Sequence, residues 1–361
     1  MKHTNRKLVC VLAALLIGLL ITGCSGGGSG ESSGSNSQSS DQPASQPADT
    51  TTSGDLFKVG MVTDMPIDGA QWLRDTVNAM EDYAAANDDV EFTVIESGSV
   101  QEFEQTIRLL AENGSNLIFT WFTGMADATV AVSKDFPNVC FGIYDGFIDN
   151  LPSYGNIADF GVYRPEGSYL AGVCAAAMSE SGTVGIIGGF DEPVINEAIA
   201  GWQQGLVSVN PDITDYVMYA NSWSDPAKGK ELGLVLVERG CDVIAAAASG
   251  ATVGAAQAAN ETGVWFVAWD THYEEVFTDD MLELGSNITV NKPMLLDMIE
   301  KAKAGTFPAG ERIEYGIESP ASYFEILSGS LISDEARAMV DEAREGILSG
   351  EISTSRDMLH K

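Results

Sequence analysis

The sequence predicts an α/β fold with two lobes, each a parallel sheet covered by helices, and a ligand-binding cleft between the lobes. Short apolar strands alternate with longer amphipathic segments from Phe57 onward, and this pattern is typical of a parallel sheet with two covered faces. The alternation runs through two successive rounds, the second starting at Pro165. The chain has 361 residues, 45% of them hydrophobic, which is enough for two cores. Ligands of open parallel sheets bind beyond the carboxyl ends of the strands, so two such edges facing each other would form a cleft.

The first round contains short β-branched or aromatic runs separated by amphipathic stretches. Its predicted strands cover 57–62, 92–96, 117–120 and 139–143, and its predicted helices cover about 70–86, 100–113 and 126–135. These elements are expected to form most of the first lobe.

The second round repeats the unit. Its predicted helices cover 166–179, 193–209, 226–238 and 254–262, and its predicted strands cover 183–189, 216–220, 243–247 and 264–269. A predicted helix over 293–304 and a predicted strand over 311–317 follow. They do not continue the regular alternation of strands and helices in the second round. The chain is therefore expected to cross back near Asn291 and again near Ile313. This divides it into lobe I (56–164 plus about 291–312) and lobe II (165–290 plus about 313–361), joined by a hinge.

The first 23 residues have the pattern of a signal peptide. Three basic residues precede an apolar run over 8–21, and about 14 residues is short for a membrane-spanning helix of about 20. The run ends in ITGC at 21–24, which resembles the lipobox of bacterial lipoproteins. We therefore predict cleavage before Cys24 and lipidation of its sulfur. An ordinary secretory signal followed by a chance cysteine is the alternative.

Residues 24–55 are predicted to be a flexible tether behind the lipidated cysteine. This stretch is rich in Ser and Gly, and beyond Cys24 it has no aromatic or branched aliphatic residue until Leu56, so it cannot bury a core. A random coil of about 30 residues reaches roughly 30 Å. The expected location is the cell membrane, with the folded part anchored through lipid on the extracytoplasmic face.

Charge and motif content exclude several classes of protein. The 19 Lys and Arg against 52 Asp and Glu give a net charge of −33, which is incompatible with a basic nucleic-acid-binding face. The three histidines are far apart in sequence, and the chain has no G-x-S-x-G, Walker A or H-E-x-x-H motif. We therefore predict that the protein has no catalytic activity and uses no cofactor or metal.

Cys140, Cys174 and Cys241 lie in apolar surroundings and are predicted to be buried without a disulfide.

Several stretches together resemble the basic membrane protein (BMP) family of substrate-binding lipoproteins. They are 58–64 (KVGMVTD), 166–172 (EGSYLAG), 182–189 (GTVGIIGG) with Pro193 and 201–205 (GWQQG), and 225–231 (DPAKGKE) leading to 240–244 (GCDVI). The resemblance covers 57 to about 320. It implies a type I periplasmic-binding-protein-like fold and service to an ABC importer of purine nucleosides, with riboflavin-binding relatives in the same family.

The resemblance also implies ligand-binding residues in the first lobe. Asp64 ends the first matching segment, and Asp68 keeps an acid of the family's next loop. Trp72 takes the position of the family's base-stacking Phe, although it could instead be the first core residue of its helix. Leu73 replaces a polar Asn. Asp145 lies near the carboxylate that the family places on the purine edge.

In the second lobe the resemblance implies ligand contacts from Asn196, Ser249 and Gly250, and Asp270 matches the acid that accepts from two sugar hydroxyls. The second stacking Phe of the family falls at Ala198, where Phe190 or Trp223 could close the gap. Lys292 matches the family's cleft lysine, or is a charge at a helix start.

The expected function is therefore that of a lipid-anchored receptor, a monomer, that closes on a nucleoside-like ligand and hands it to ABC permease and ATPase subunits. A surface sensor is the alternative from a different class. Riboflavin, a free base or a small sugar are alternative ligands within the transport function.

Overall fold

The computed structural model describes residues 56–277, 282–327 and 331–361. The predicted signal peptide, Cys24 and the tether lie outside these ranges. The strands within them are β1 Phe57–Thr63, β2 Val90–Glu96, β3 Leu117–Trp121, β4 Cys140–Tyr144, β5 Ile157–Val162, β6 Thr183–Gly188, β7 Thr214–Tyr219, β8 Val243–Ala247, β9 Trp265–Trp269, β10 Glu283–Thr289, β11 Arg312–Tyr315 and β12 Ser322–Ile326.

Helices cover the faces of the sheets. They are α1 Gln71–Ala86, α2 Val100–Glu112, α3 Ala126–Asp135, α4 Arg164–Met178, α5 Pro193–Val209, α6 Pro226–Glu238, α7 Gly250–Thr262, α8 Asn291–Lys303 and α9 Asp334–Ser349. Of the helices in the described ranges, none is both long and apolar enough to cross a membrane.

The strands form two six-stranded sheets. The first has the order β11-β5-β4-β3-β1-β2 and is parallel throughout. The second has the order β12-β10-β9-β8-β6-β7 and is parallel except that β12 runs antiparallel to β10. Every residue of β3, β5 and β8 is buried. The sequences of β3 and β8 are accordingly apolar apart from Thr120, whereas β5 also contains the buried Asp159.

The chain crosses between the two sheets three times. It leaves the first sheet after β5, returns to that lobe at α8, whose apolar face packs in the first core, and leaves again after β11. The sequence placed the last crossing near Ile313. Because Arg312–Tyr315 pairs with β5, the crossing comes after Tyr315 and those residues belong to the first lobe.

Four elements had no sequence prediction: β5, β10, β12 and α9. The segment of β10, ELGSNIT, carries polar residues at positions that are nonetheless buried. Tertiary contacts there override the low β propensity of its Glu, Gly, Ser and Asn residues. Helix α9 begins with a Ser333 cap on the Ala336 N–H and packs on the second core.

Helices α4 and α5 are in backbone contact along their middle turns. A Cβ at Gly172 would lie 2.2 Å from the Trp202 carbonyl oxygen, and one at Gly205 would lie 2.1 Å from that of Tyr169. Only glycine permits this approach.

The free thiols of Cys174 and Cys241 are buried, whereas Cys140 is half-buried.

Candidate functional site

Loops at the carboxyl ends of the strands carry most of the residues that sequence reasoning selected. Asp64 and Asp145 follow β1 and β4 in the first lobe, whereas Ser249 and Asp270 follow β8 and β9 in the second. Three of these residues have positive φ angles: +50° at Asp145, +47° at Ser249 and +66° at Asp270. Such conformations are uncommon for residues other than glycine and cluster at functional sites.

The first lobe presents an aromatic wall made of Trp72, Trp121, Phe122 and Tyr144. The Trp72 ring meets the edges of Trp121 and Phe122 at centroid distances of 5.5 and 5.8 Å. Tyr144 packs on Trp121 at 5.3 Å and on Phe122 at 5.7 Å. Trp121 and Tyr144 are buried, whereas Trp72 is only half-buried. Trp72 is therefore supported from behind by other rings and keeps part of its surface accessible.

Asp64 and Asp68 have different environments although they lie four residues apart. Asp64 is half-buried, and its Oδ1 is buried without a hydrogen-bond partner among the described residues. Burial raises the pKa of Asp64 above its usual range. The Asp68 side chain is 91% exposed and pairs with Arg74 at 3.2 Å. Leu73, which replaces a polar family residue, is fully buried in the first core.

Asp145 is buried and forms ion pairs with two arginines. Its Oδ2 lies 2.6 Å from Arg164 Nη2, and its Oδ1 lies 3.0 Å from Arg312 Nη2. Gly161 on β5 makes room for this carboxylate, because a Cβ there would lie 2.2 Å from Oδ1. Both carboxylate oxygens are thus occupied by charge-assisted hydrogen bonds within the protein.

These arginines belong to a larger network at the crossings between the lobes. Arg312 also binds Asp159 at 2.7 Å and Glu314 at 2.9 Å. Arg356, in the segment after α9, binds Glu197 of α5 at 2.8 Å and also pairs with Glu314. The network therefore connects β11 of the first lobe with α5 of the second.

Asp270 faces the first lobe from the second. The residue is exposed, but protein atoms crowd its carboxylate, and this desolvation raises its pKa. Arg164 and a hydrogen bond with Thr289 act in the opposite direction. The Asp270 charge is also close enough to act on the pKa of Tyr144, a member of the aromatic wall. Asp270 makes no ion pair within the described ranges.

A second pair of aromatic rings lies beside the loop that carries Ser249 and Gly250. Phe190 and Trp223 pack with their centroids 5.3 Å apart, and the Trp223 carbonyl accepts from the Gly250 N–H at 2.9 Å. The indole lies directly over Gly189, where a Cβ would come within 2.1 Å of it. Trp223 is 37% exposed, so these rings give the second lobe an accessible aromatic surface.

Three other selected positions have surroundings that differ from one another. Asn196 donates to Asp191 and accepts from the Tyr219 hydroxyl, each at 2.7 Å. Ala198 is 1% exposed and belongs to the second core, so its small side chain does not border the cleft. Lys292 is exposed in the first turn of α8.

Sequence reasoning missed the arginines that hold Asp145 and the rings behind Trp72. A usable signal existed for the arginines, because Lys and Arg together account for only 19 residues and Arg164 lies two residues after the end of β5. Across the described part of the chain, no group of three or more His, Cys, Asp or Glu side chains is arranged to hold a metal ion.

Two lobes with facing carboxyl-end loops, aromatic surfaces and an acid that forms no ion pair with the described residues define a two-lobed ligand-binding protein. A family model described as "ABC transporter substrate-binding protein PnrA-like" (Bmp) matches residues 56–354. The chain belongs to this Bmp family of ABC transporter substrate-binding proteins, which confirms the resemblance seen in the sequence. The family is one of binding proteins and not of enzymes.

Individual similarities agree with this placement. The chain is 29% identical to a purine-binding protein of Brucella abortus over 82% of each chain. It is 28% identical to the ABC transporter nucleoside-binding protein BmpA of Lactococcus lactis, over 73% of this chain and 77% of that protein. A solute-binding protein of an ABC transporter from Conexibacter woesei superposes with a TM-score of 0.66 at 20% identity, covering 83% of this chain and 99% of that one. The periplasmic-binding-protein-like fold predicted from the sequence is thus confirmed.

Proposed function

We propose that the protein is a lipid-anchored extracytoplasmic receptor, acting as a monomer, that binds a purine nucleoside between its lobes and delivers it to an ABC permease. The observation that carries this proposal is the aromatic wall of the first lobe opposite Asp270, an acid without an ion-pair partner among the described residues. A flat ring with poorly solvated faces suits the wall, and sugar hydroxyls suit the acid. The names of the Brucella and Lactococcus relatives support the same ligand class.

In this proposal the base stacks on Trp72, and the edge of the base donates to Asp64. We assign the edge to Asp64 and not to Asp145, because both Asp145 oxygens already bind arginines, whereas Asp64 Oδ1 has no described partner. The sugar hydroxyls donate to Asp270, and Ser249 with Gly250 lets backbone approach the sugar. Asn196 and Lys292 border the ligand in the closed form, and Asp68 is at most peripheral because it is almost fully exposed.

The second aromatic contact comes from Trp223 in this proposal. Ala198 cannot supply it, and the accessible Trp223 ring lies beside the Ser249 loop. Closure would then be a population shift in which the ligand bridges both lobes. The lipid on Cys24 and the tether would keep the receptor close to the permease.

The test is calorimetric titration of the full chain with inosine, guanosine, adenosine and the corresponding free bases. We expect sub-micromolar binding of nucleosides and weaker binding of the free bases, because the bases lack the hydroxyls that Asp270 accepts. If no purine binds, the purine assignment is wrong, and riboflavin and sugars should be titrated next. A ligand-induced complex with a signalling partner in place of a permease would favour the sensor alternative.

Replacing Trp72 with alanine should weaken binding of every purine ligand by about tenfold to a hundredfold. Stacking of a base on an aromatic side chain contributes about 1–3 kcal/mol, and Trp72 is, with Phe122, one of the two half-buried rings of the wall. Trp72→Phe retains a ring and should lose much less affinity. Tyr323→Ala, at an exposed position of β12, is the control for general effects of losing an aromatic side chain. Unchanged affinity in Trp72→Ala would remove this residue from the site.

A further inference from the structure

The loop after β9 carries Asp270, and we propose that Glu283 and His272 form a positioning pair that fixes this loop for ligand binding. The inference rests on the proposed function, because it concerns the acid that is assigned to the sugar hydroxyls. Neither residue belongs to the proposed contacts with the ligand. Both act through the backbone that presents Asp270.

A β-bulge places Glu283 where it can reach the loop. Glu283 pairs with Phe266 of β9 and Gly285 with the next residue, Val267, so Leu284 is an extra residue in β10. Glu283 and Leu284 are consecutive, yet both are fully buried. Bulges redirect side chains and are frequent next to functional sites. Here the bulge turns a carboxylate inward, beneath the loop.

The Glu283 carboxylate binds two successive residues of the loop. Its Oε2 accepts from the Tyr273 N–H at 2.8 Å, and its Oε1 lies 2.6 Å from His272 Nδ1, which donates to it. A carboxylate with no exposed surface is costly unless it is paired and hydrogen-bonded. The two contacts satisfy Glu283 only when the loop has this conformation, so they stabilise it.

Strand β10 holds the preceding two loop residues as well. The Asp270 N–H donates to the Asn287 carbonyl at 2.9 Å, and the Ser286 hydroxyl donates to the Thr271 carbonyl at 2.8 Å. Each residue from Asp270 to Tyr273 is therefore bonded to β10. Asp270 itself has a φ of +66°, which is unfavourable for a residue other than glycine and needs such external support.

The charge on His272 contributes to this arrangement. Glu283 of β10 faces its Nδ1, Glu325 of β12 faces its Nε2 at 3.3 Å, and Asp270 and Tyr273 lie on its own loop. The hydrogen bond to Glu283 raises the pKa of His272 above its ordinary value of 6.5. The stabilisation is then complete below that ordinary value and is lost as the pH rises through the raised pKa. Alkaline pH should loosen the loop.

The test uses the full chain without ligand and with inosine as probe. In the ligand-free protein, we expect Glu283→Gln to move the NMR titration midpoint of His272 down toward its ordinary value. Amide protection at 271–273 should fall about tenfold, as expected for loss of a hydrogen bond to a charged group. Inosine affinity should also fall about tenfold, whereas hypoxanthine affinity should stay within twofold because the free base has no sugar. Glu325→Gln removes only the exposed partner of His272 and is the matched control. Its amide protection at 271–273 and its inosine affinity should both stay within twofold of the wild type.

If Glu283→Gln does not fold, His272→Gln provides the second test. Its ring is only partly buried, and the variant should show the same loss of protection at 271–273 and no further loss at alkaline pH. Wild-type titration of His272 and wild-type protection of the loop in Glu283→Gln would overturn the positioning pair. If the ligand-free results hold but inosine does not bind the wild type, the proposed function fails while Glu283 still fixes the loop.

Discussion

Asp145→Asn should lower the free energy of unfolding by about 3–5 kcal/mol, the range expected when one partner of a buried ion pair is removed. The Asp145 side chain is 1% exposed and balances two arginine charges. In the variant, Arg312 keeps Asp159 and Glu314, but Arg164 keeps only the Tyr144 hydroxyl. A poorly compensated guanidinium would then remain in a buried position, 13% exposed, at the crossing between the lobes.

Asparagine is the appropriate substitution because it removes the negative charge and keeps the shape of the side chain. It has nearly the same volume and tolerates the positive φ at this position, whereas alanine would add backbone strain. Asp135→Asn is the matched control, since Asp135 also pairs with an arginine, Arg108 at 2.8 Å, but is 58% exposed. It should lower the unfolding free energy by at most about 1 kcal/mol.

Urea denaturation of the full chain measures both variants. The double variant Asp145→Asn with Arg164→Gln should recover part of the loss, because it removes the unpaired charge as well. Equal stability of Asp145→Asn and Asp135→Asn would mean that the network is not a stabilising element. If Asp145→Asn keeps wild-type stability but loses much of its nucleoside affinity, Asp145 would instead be a ligand-binding residue.

Asp270→Asn should weaken nucleoside binding by roughly tenfold to a hundredfold and leave the binding of free bases almost unchanged. A hydrogen bond to a charged group contributes about 1.5–3 kcal/mol, and a neutral amide offers only one acceptor oxygen to two hydroxyls. Asparagine also tolerates the positive φ of Asp270. The difference between nucleoside and base is therefore the informative quantity.

Calorimetry with inosine and hypoxanthine measures this difference. Asp68→Asn is the control, because the Asp68 side chain is 91% exposed and is paired with Arg74. It should change either affinity by less than twofold. Equal losses for inosine and hypoxanthine in Asp270→Asn would contradict the assignment of Asp270 to the sugar.

Strands of both rounds were predicted, and the central ones are the easiest to recognise because they are buried along their whole length, whereas the edge strands β2 and β7 are only partly buried. Strands such as β3 and β8 are buried on both faces, so their sequences are continuous apolar runs that are easy to recognise. Strand β10 is also buried, but its buried residues include Glu283, Ser286 and Asn287. Glu283 and Ser286 bind residues of the loop after β9, and the Asn287 amide nitrogen donates to Ser168. A local pattern of hydrophobicity cannot reveal such partners.

The sequence predicted which loops form the candidate site, but it did not predict what each residue in those loops does. Trp72, Asp145 and Asp270 were selected through the resemblance to the BMP family, and the structure places all three at carboxyl-end loops or beside them. The sequence could not distinguish Asp145, with two bound arginines, from Asp270, with no ion pair described. Arg312 is 167 positions away from Asp145, so only the pairing of β11 with β5 brings them together.

The sequence by itself determined the two α/β rounds, the Bmp family and the loops in which a ligand site should lie. These depend on hydrophobic periodicity and on short motifs, which are properties of neighbouring residues. Tertiary structure alone decided that Asp145 belongs to an arginine network, that Ala198 is buried in the core and that Glu283 lies beneath the Asp270 loop. Those outcomes depend on contacts between residues far apart in the chain and on a one-residue bulge in β10, because a shift of one position in a strand changes which side chain points inward.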